Sequence, residues 1–300
     1  MRARARSSVL IIALAFAALC LPGPLGAATA PVKCGGPRIV KAGGGYWTCT
    51  FDDEFSSYRI DASKWTVVTT AASGITGGGA CFVNSSQNIH QFAGHLYLTV
   101  RKVTVPIRCI KPHGSVAASY TAATVATAGS FAQAYGRFSI RAKFPAATVA
   151  GLHSALWLWP KDATKFGAWP RSGEIDIGEE YSLHADRVVP YVHYVYDPRT
   201  VNLGTNTNVP TNNYCLVKQV NQWHVYTVEW TPRTITIFYD NQICLIDNYV
   251  AAAPLRNGAP FNQPFFVALT QSLGIAANSY VPGSTPLPAT TQVDWVRVWK

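Results

Sequence analysis

The sequence predicts an all-β sandwich, on three observations. From Tyr46 onward, short runs rich in Val, Ile, Thr, Tyr, Phe and Trp alternate with clusters of Gly, Pro and Asn, which is the spacing of strands and turns in a sandwich. Several of these runs alternate polar and apolar residues with period two, as a pleated strand does. No stretch carries the apolar repeat of an amphipathic helix of ordinary length. About 270 residues remain after a removable leader, without a linker-like stretch, so one large β domain is expected.

The elements follow in chain order. Arg2, Arg4 and Arg6 precede an almost wholly apolar run, Val9 to Leu21, and the small residues Gly26-Ala27-Ala28 follow. Residues 1–28 therefore read as a secretory signal peptide cut after Ala28. The apolar run is shorter than the ~20 residues that span a bilayer, and no later segment approaches that length. The expectation is a secreted, extracellular protein without stable membrane insertion. Leu19 before Cys20 argues against a lipid anchor. Losing the three arginines lowers the formal charge from +10 to +7. The remaining Lys and Arg are scattered, which speaks against nucleic-acid binding.

Residues 29–45 read as an N-terminal extension and 46–300 as the functional domain. Gly43-Gly44-Gly45 and Gly77-Gly78-Gly79 precede no helix, so they read as loops rather than phosphate cradles. Six cysteines remain beyond the leader: Cys34, Cys49, Cys81, Cys109, Cys215 and Cys244. In an exported chain an even set implies up to three disulfides, with fifteen possible pairings. Cys34 with Cys49 is the most local pair and would tether the extension. The irregular spacing, with no C-x-x-C, argues against zinc.

Strands are expected at His95–Lys102, Gly136–Phe144, Ser154–Trp159, Glu174–Glu179, Val189–Tyr196, His224–Trp230, Thr234–Tyr239, Phe265–Thr270 and Gln292–Trp299. In the second of these, Arg137, Ser139, Arg141 and Lys143 share one face and Phe138, Ile140, Ala142 and Phe144 the other. From Leu152 to Trp159, the set His153, Ala155, Trp157 and Trp159 opposes Leu152, Ser154, Leu156 and Leu158. A sheet face lined by Trp and His suits sugar binding, because aromatic rings stack on pyranose faces and polar groups bond hydroxyls. Arg137 and Arg141 are expected on the same groove.

The run Glu174-Ile175-Asp176-Ile177-Gly178-Glu179-Glu180 carries the chemistry. In a regular strand Glu174 and Asp176 share a face, while Ile175, Ile177 and Glu179 share the opposite one. That register would bury Glu179 among isoleucines. One extra residue at Ile177-Gly178, a β-bulge, returns Glu179 to the face of the other two acids and turns Glu180 away. Three acids on one face cannot all ionise cheaply, so at least one is held protonated near neutrality. Glycosidic cleavage needs this pairing of a charged carboxylate with a protonated one. Glu174 is assigned as nucleophile, Glu179 as acid/base, and Asp176 as the partner that tunes Glu174. A calcium role for the trio is disfavoured, since such sites draw carbonyl and Asn ligands from loops.

The segment Gly173 to Glu179 resembles the bulged E-x-D-x-x-E motif of glycoside hydrolase family 16, on its laminarinase-like branch. The resemblance covers most of Trp47 to Lys300. Phe51-Asp52-Asp53-Glu54-Phe55 with Lys64-Trp65 is similar to the family's opening, Tyr135-Gly136-Arg137-Phe138 through Lys143 to its Y-G-R-F-x-x-R-x-K strand, and Val293 to Val298 to its closing strand. The resemblance implies a concanavalin A-like β-jelly roll of two curved antiparallel sheets. It also implies a concave active site and retaining hydrolysis of internal β-glycosidic bonds, most closely those of a β-1,3-glucan.

The same resemblance places the catalytic roles on Glu174, Asp176 and Glu179 and substrate contacts on Arg141, Trp157, Trp169 and His193. It places a structural calcium on Asp294 and the Gly94 carbonyl, as some members have, and requires no cofactor for catalysis. The expected partner is a β-glucan polysaccharide, acted on by a monomer. A wall-remodelling transglycosylase and a non-catalytic β-glucan-binding protein are the alternatives. The chain departs from the family pattern at Ser139, His153 and Gly178, where many members carry Glu, Trp and Met, and at Gln271, in a region that usually runs Asn-Leu-Ala.

Overall fold

The computed structural model describes residues 33–199 and 210–300. The expected signal peptide lies outside the described residues. Sixteen strands are present among them: β1 (Cys49–Asp53), β2 (Thr66–Val67), β3 (Thr76–Gly77), β4 (Ala80–Phe82), β5 (Ile89–Phe92), β6 (His95–Ile110), β7 (Ser115–Ala126), β8 (Gly136–Lys143), β9 (Leu152–Pro160), β10 (Glu174–Tyr181), β11 (Val189–His193), β12 (His224–Trp230), β13 (Ile235–Tyr239), β14 (Gln242–Asp247), β15 (Phe265–Leu273) and β16 (Ala289–Trp299). The one α-helix among the described residues is the single turn α1 (Thr70–Ser73).

One layer runs β11-β10-β9-β15-β7, and the other β5-β6-β16-β8-β12-β13-β14 with β1 along β16. The long β6–β7 hairpin pairs across the edge and joins them. Apart from the short parallel β4–β7 pair, the pairings between named strands are antiparallel. The architecture is the expected jelly-roll sandwich.

Period-two patterning explains the layering. Leu156 and Leu158 of β9 and Ile175 and Ile177 of β10 point inward. They meet Phe138 and Ile140 of β8, Tyr226 and Val228 of β12, and Val293 and Val296 of β16, all buried in one cluster. A buried side chain of this size contributes about 1.5–3 kcal/mol through removal of apolar surface from water. The opposite face of β9 and β10 is thereby left for the cleft.

Strand β7 escapes sequence reading because alanine and serine hold seven of its twelve positions and break the period-two pattern of Val116, Tyr120, Thr121, Thr124 and Val125. Its small side chains are tolerated because β15, β6 and the short β2 and β4 pack beside it. Strand β6 also runs on to Ile110, well past Lys102, where its pairing with β7 carries it beyond the core.

The cysteines pair as Cys34–Cys49, Cys81–Cys109 and Cys215–Cys244, the first as expected from locality. Sequence separations of 15, 28 and 29 give roughly 3 kcal/mol of loop-closure stabilisation each. Cys34 is buried and its backbone N–H donates to Asp52 Oδ2, so residues just beyond position 33 are tied to the sandwich.

Two expectations are corrected by this layering. Arg141 does not face the groove. It lies on β8, in the layer without the carboxylates, and its inward neighbours Ile140 and Ala142 leave it only the outer surface of that layer. Arg137, four residues earlier, likewise pairs with Glu229 of β12. Period-two reasoning places residues on shared faces correctly but cannot say which layer a strand joins.

The second correction concerns Asp294 and Gly94. A register shift between Val293 and Trp295 makes Asp294 the extra residue of β16, between β6 and β8. Its carboxylate meets the Arg141 guanidinium on one side and His95 Nδ1, at 3.2 Å, on the other. His95 Nδ1 also lies 2.7 Å from the Gly94 carbonyl. Calcium takes six to eight oxygen ligands. A guanidinium and an imidazole engaging the one carboxylate do not fit that donor set.

Candidate active site

Strand β10 follows the turn at Gly173, whose φ of +85° favours glycine, and whose missing Cβ leaves room for Phe261, Phe265 and Pro260 about 3 Å away. Along β10, Asp176 pairs with Trp157 and Gly178 with Leu156, so Ile177 is the extra residue. The same shift appears against β11, where Asp176 pairs with Tyr191 and Glu179 with Val189. A bulge at the expected place thus sends Ile177 and Gly178 both toward the core. Tyr239 and Tyr226 already fill the space beneath Gly178, which is why no larger residue stands there. The Tyr239 hydroxyl donates to the Ile177 carbonyl at 3.0 Å and pins the bulge from below.

Glu174, Asp176 and Glu179 consequently line one cavity of about 360 Å³ with Trp157 and His153 of β9 and Tyr181 of β10. Thr270, Ser272 and Leu273 of β15 extend its floor. Val68, Ser73, Ile75 to Gly78, Phe82 and Ile275 form the wall on that side. Trp169, on the loop entering β10, donates from Nε1 to Glu174 Oε2 at 2.6 Å and lies against the His193 ring. His193 of β11 reaches Asp176 Oδ2 at 3.2 Å through Nε2 and stacks flat on Tyr191. Trp157 Nε1 donates to Thr270 at 3.1 Å, which fixes the indole on the cleft floor. Of the expected substrate contacts, Trp157, Trp169 and His193 are brought to the trio and Arg141 is not.

The electrostatics follow from burial and crowding. Glu174 is pushed up to about 8, first by burial and then by Asp176, against the opposing pull of His193 and Trp169. Asp176 is raised well above the usual carboxylate range by burial and by the charge of Glu179. Burial also pushes Glu179 up. The His153 hydrogen bond and charge, the Tyr181 hydroxyl and His193 outweigh burial there, and the net direction is down. The trio therefore holds protons through neutrality as one coupled system rather than as three independent acids. Glu180 points into the core, bonded to Ser154 at 3.2 Å, and burial raises it to about 8.

Glu174, Asp176 and His193 each bring one ligand atom within 4.8 Å of the others. They supply the geometry of a proton-sharing carboxyl pair with a histidine on its flank. His153 and Tyr181 in the cleft, and Tyr191 behind His193, are among the residues to which sequence reasoning assigned no role. The alternation of β9 had placed His153 on the correct face, but its contact with Glu179 depends on which strands lie side by side.

The model of glycosyl hydrolases family 16 matches residues 79–296. The glucan endo-1,3-beta-glucosidase A1 of Niallia circulans is 30% identical over 266 residues, which are 83% of this chain and 37% of that protein. The beta-glucanase of Rhodothermus marinus is 33% identical over 189 residues, covering 60% of this chain and 63% of that protein. The chain thus spans less than two thirds of the length of either relative. The solved laminarinase structure from Rhodothermus marinus superposes with a TM-score of 0.66 at 27% identity, over 85% of this chain and 97% of that one.

Proposed function

This chain belongs to glycosyl hydrolase family 16, and from that premise we propose that it is a secreted, endo-acting β-1,3-glucanase that retains anomeric configuration. The observation that carries the reading is the bulge that turns Glu174, Asp176 and Glu179 to one face, in a cleft bordered by Trp157 and Trp169. The name of the Niallia circulans relative, a glucan endo-1,3-beta-glucosidase, supports the linkage, and three disulfides suit an oxidising extracellular setting.

In the first half of the reaction, the ionised Glu174 carboxylate forms a bond to the anomeric carbon as the bond to the leaving oxygen breaks. Glu179 gives its proton to that oxygen. In the second half, Glu179 takes a proton from water, the water oxygen bonds the anomeric carbon, and the Glu174 ester bond breaks. Reaction requires the arrangement in which the trio's shared proton lies on Glu179 and charge lies on Glu174. Trp169 Nε1 and His193 favour charge on Glu174, and Asp176 lies between the two. The aromatic rings take the apolar sugar faces. The family's chemistry calls for no cofactor, and calcium has no part in this reading because Arg141 and His95 already meet Asp294. The polysaccharide is bound by a single copy of the chain.

The test incubates the mature protein with laminarin, mixed-linkage glucan, agarose and an arabinogalactan, and follows products by mass. Laminarin should yield oligosaccharides of intermediate length, and Glu174→Gln should lower kcat at least about a thousandfold with unfolding unchanged. If no polysaccharide is cut, the reading fails. Full activity in Glu174→Gln would refute the mechanism.

A further inference from the structure

His153 is a polar residue of the cleft to which the reaction above assigns no task. It stands on β9 directly opposite Tyr181 of β10, and its ring lies along the Tyr181 ring at 5.0 Å with only 19° between the planes. That stacking fixes the plane of the imidazole. Nε2 then lies 2.8 Å from Glu179 Oε1. Glu179 must change roles within each turnover, from proton donor to proton acceptor. A donor aimed at one of its oxygens strengthens the half in which the carboxylate is charged and works against the half in which it must carry a proton.

We propose that His153 is a positioning residue for this reaction, holding Glu179 against the cleft wall through Nε2 and tilting the enzyme toward water activation over leaving-group protonation. The proposal rests on the assignment of Glu179 as acid/base. The titratable groups that face Glu179 are Glu174, Asp176 and Tyr181 from its own strand, His153 from β9, His193 and Tyr191 from β11, and Tyr239 from beneath. The wall formed by Val68, Ser73, Ile75 to Gly78, Phe82 and Thr270 to Ile275 offers no titratable side chain. Burial raises Glu179, and His153 is foremost among the groups that bring it down. Removing the His153 donor must therefore raise Glu179.

The experiment compares His153→Phe, which keeps a ring against Tyr181 but removes the donor, with His153→Gln, which keeps a donor. Two substrates separate the halves: laminarin, whose leaving group needs a proton, and a dinitrophenyl β-laminaribioside, whose leaving group does not. In His153→Phe the limb of kcat/KM on laminarin that follows Glu179, the lower-titrating member of the pair and hence the acidic limb, should move up by about one pH unit. Its kcat on the aryl glycoside should fall about tenfold on the acidic limb of the profile, and His153→Gln should recover most of that rate. Profiles that superimpose on wild type, or equal loss on both substrates without movement along the pH axis, would overturn the proposal.

If the wild-type protein cuts neither substrate, the enzymatic reading fails by itself. The ¹³C titration of the Glu179 carboxyl, assigned with Glu179→Gln, then decides. A midpoint raised by His153→Phe upholds the His153 contact, and an unchanged midpoint overturns it.

Discussion

Gly178 is the position where adding one methyl group tests the bulge most directly. A Cβ there would lie 2.8 Å from Val188 Cγ1, 3.3 Å from the Tyr239 hydroxyl and 3.4 Å from Tyr226 Cδ1. Val188 is fully buried and β-branched, so it cannot swing aside through a free rotamer. Overpacking of this kind costs about 1–3 kcal/mol. The φ of Gly178 is not in the left-handed region, so alanine gains about 0.4–1 kcal/mol from a less flexible unfolded chain. The balance is a loss of about 1–2 kcal/mol, or a fall of roughly 2–8 °C in Tm for a domain of this size.

The methyl also pushes toward Tyr239, whose hydroxyl holds the Ile177 carbonyl, so the bulge and Glu179 should shift together. A misplacement of a catalytic group by less than an ångström lowers kcat by about ten- to a hundredfold. Thermal unfolding and laminarin kinetics of Gly178→Ala, Val188→Ala and the double variant measure both effects. Removing the Val188 methyls should relieve the crowding. The double variant should then be more stable than the sum of the single losses by at least about 0.5 kcal/mol. If Gly178→Ala unfolds and turns over like wild type, or the two losses simply add, the account of why glycine stands at the bulge is wrong.

Two further outcomes follow from the site. Trp169→Phe removes the 2.6 Å donor that helps keep Glu174 charged. Glu174 should rise further, and the alkaline limb of kcat/KM, which follows this higher-titrating group, should move to higher pH, with the largest loss of rate below neutrality; an unmoved limb would show that this contact does not govern Glu174. Glu180 is raised to about 8 in the folded chain but titrates near 4.3 when unfolded. The folded state therefore holds a proton that the unfolded state has lost, and Glu180 costs stability as pH rises from about 4.5 to 8. Glu180→Gln keeps a neutral group of the same shape beside Ser154. It should match wild type near pH 4 and unfold several degrees higher at pH 8, as measured by thermal scans across that range, whereas equal Tm values at both ends would refute the buried-acid assignment.

The all-β class and the need for a bulge were both readable in the sequence, for a local reason. Side-chain direction along a strand depends only on the count of residues, so the spacing of Glu174, Asp176 and Glu179 around Ile175 and Ile177 demands an extra residue wherever the strand is placed. The structure puts that residue at Ile177. The Cys34–Cys49 link was similarly local. Strand β7 escapes sequence reading because its alanines carry little local preference, and half of its pairing is set by β15, far from it in sequence.

Which layer a strand joins is not a local property, and there sequence reading of Arg141 failed. Its face was correct, but β8 pairs with β16 and β12, where Arg141 meets Asp294 rather than a sugar. The contact of His153 with Glu179 has the same origin. Each residue was visible on its own strand, but the 2.8 Å approach exists only because β9 and β10 are neighbours in that register. The sequence by itself determined which acids and aromatics lie close along one strand and which way each side chain turns, because residue order and backbone periodicity dictate both. Only the tertiary structure decided which of those side chains meet, because long-range pairing and burial choose the partners and, through them, where the shared protons reside.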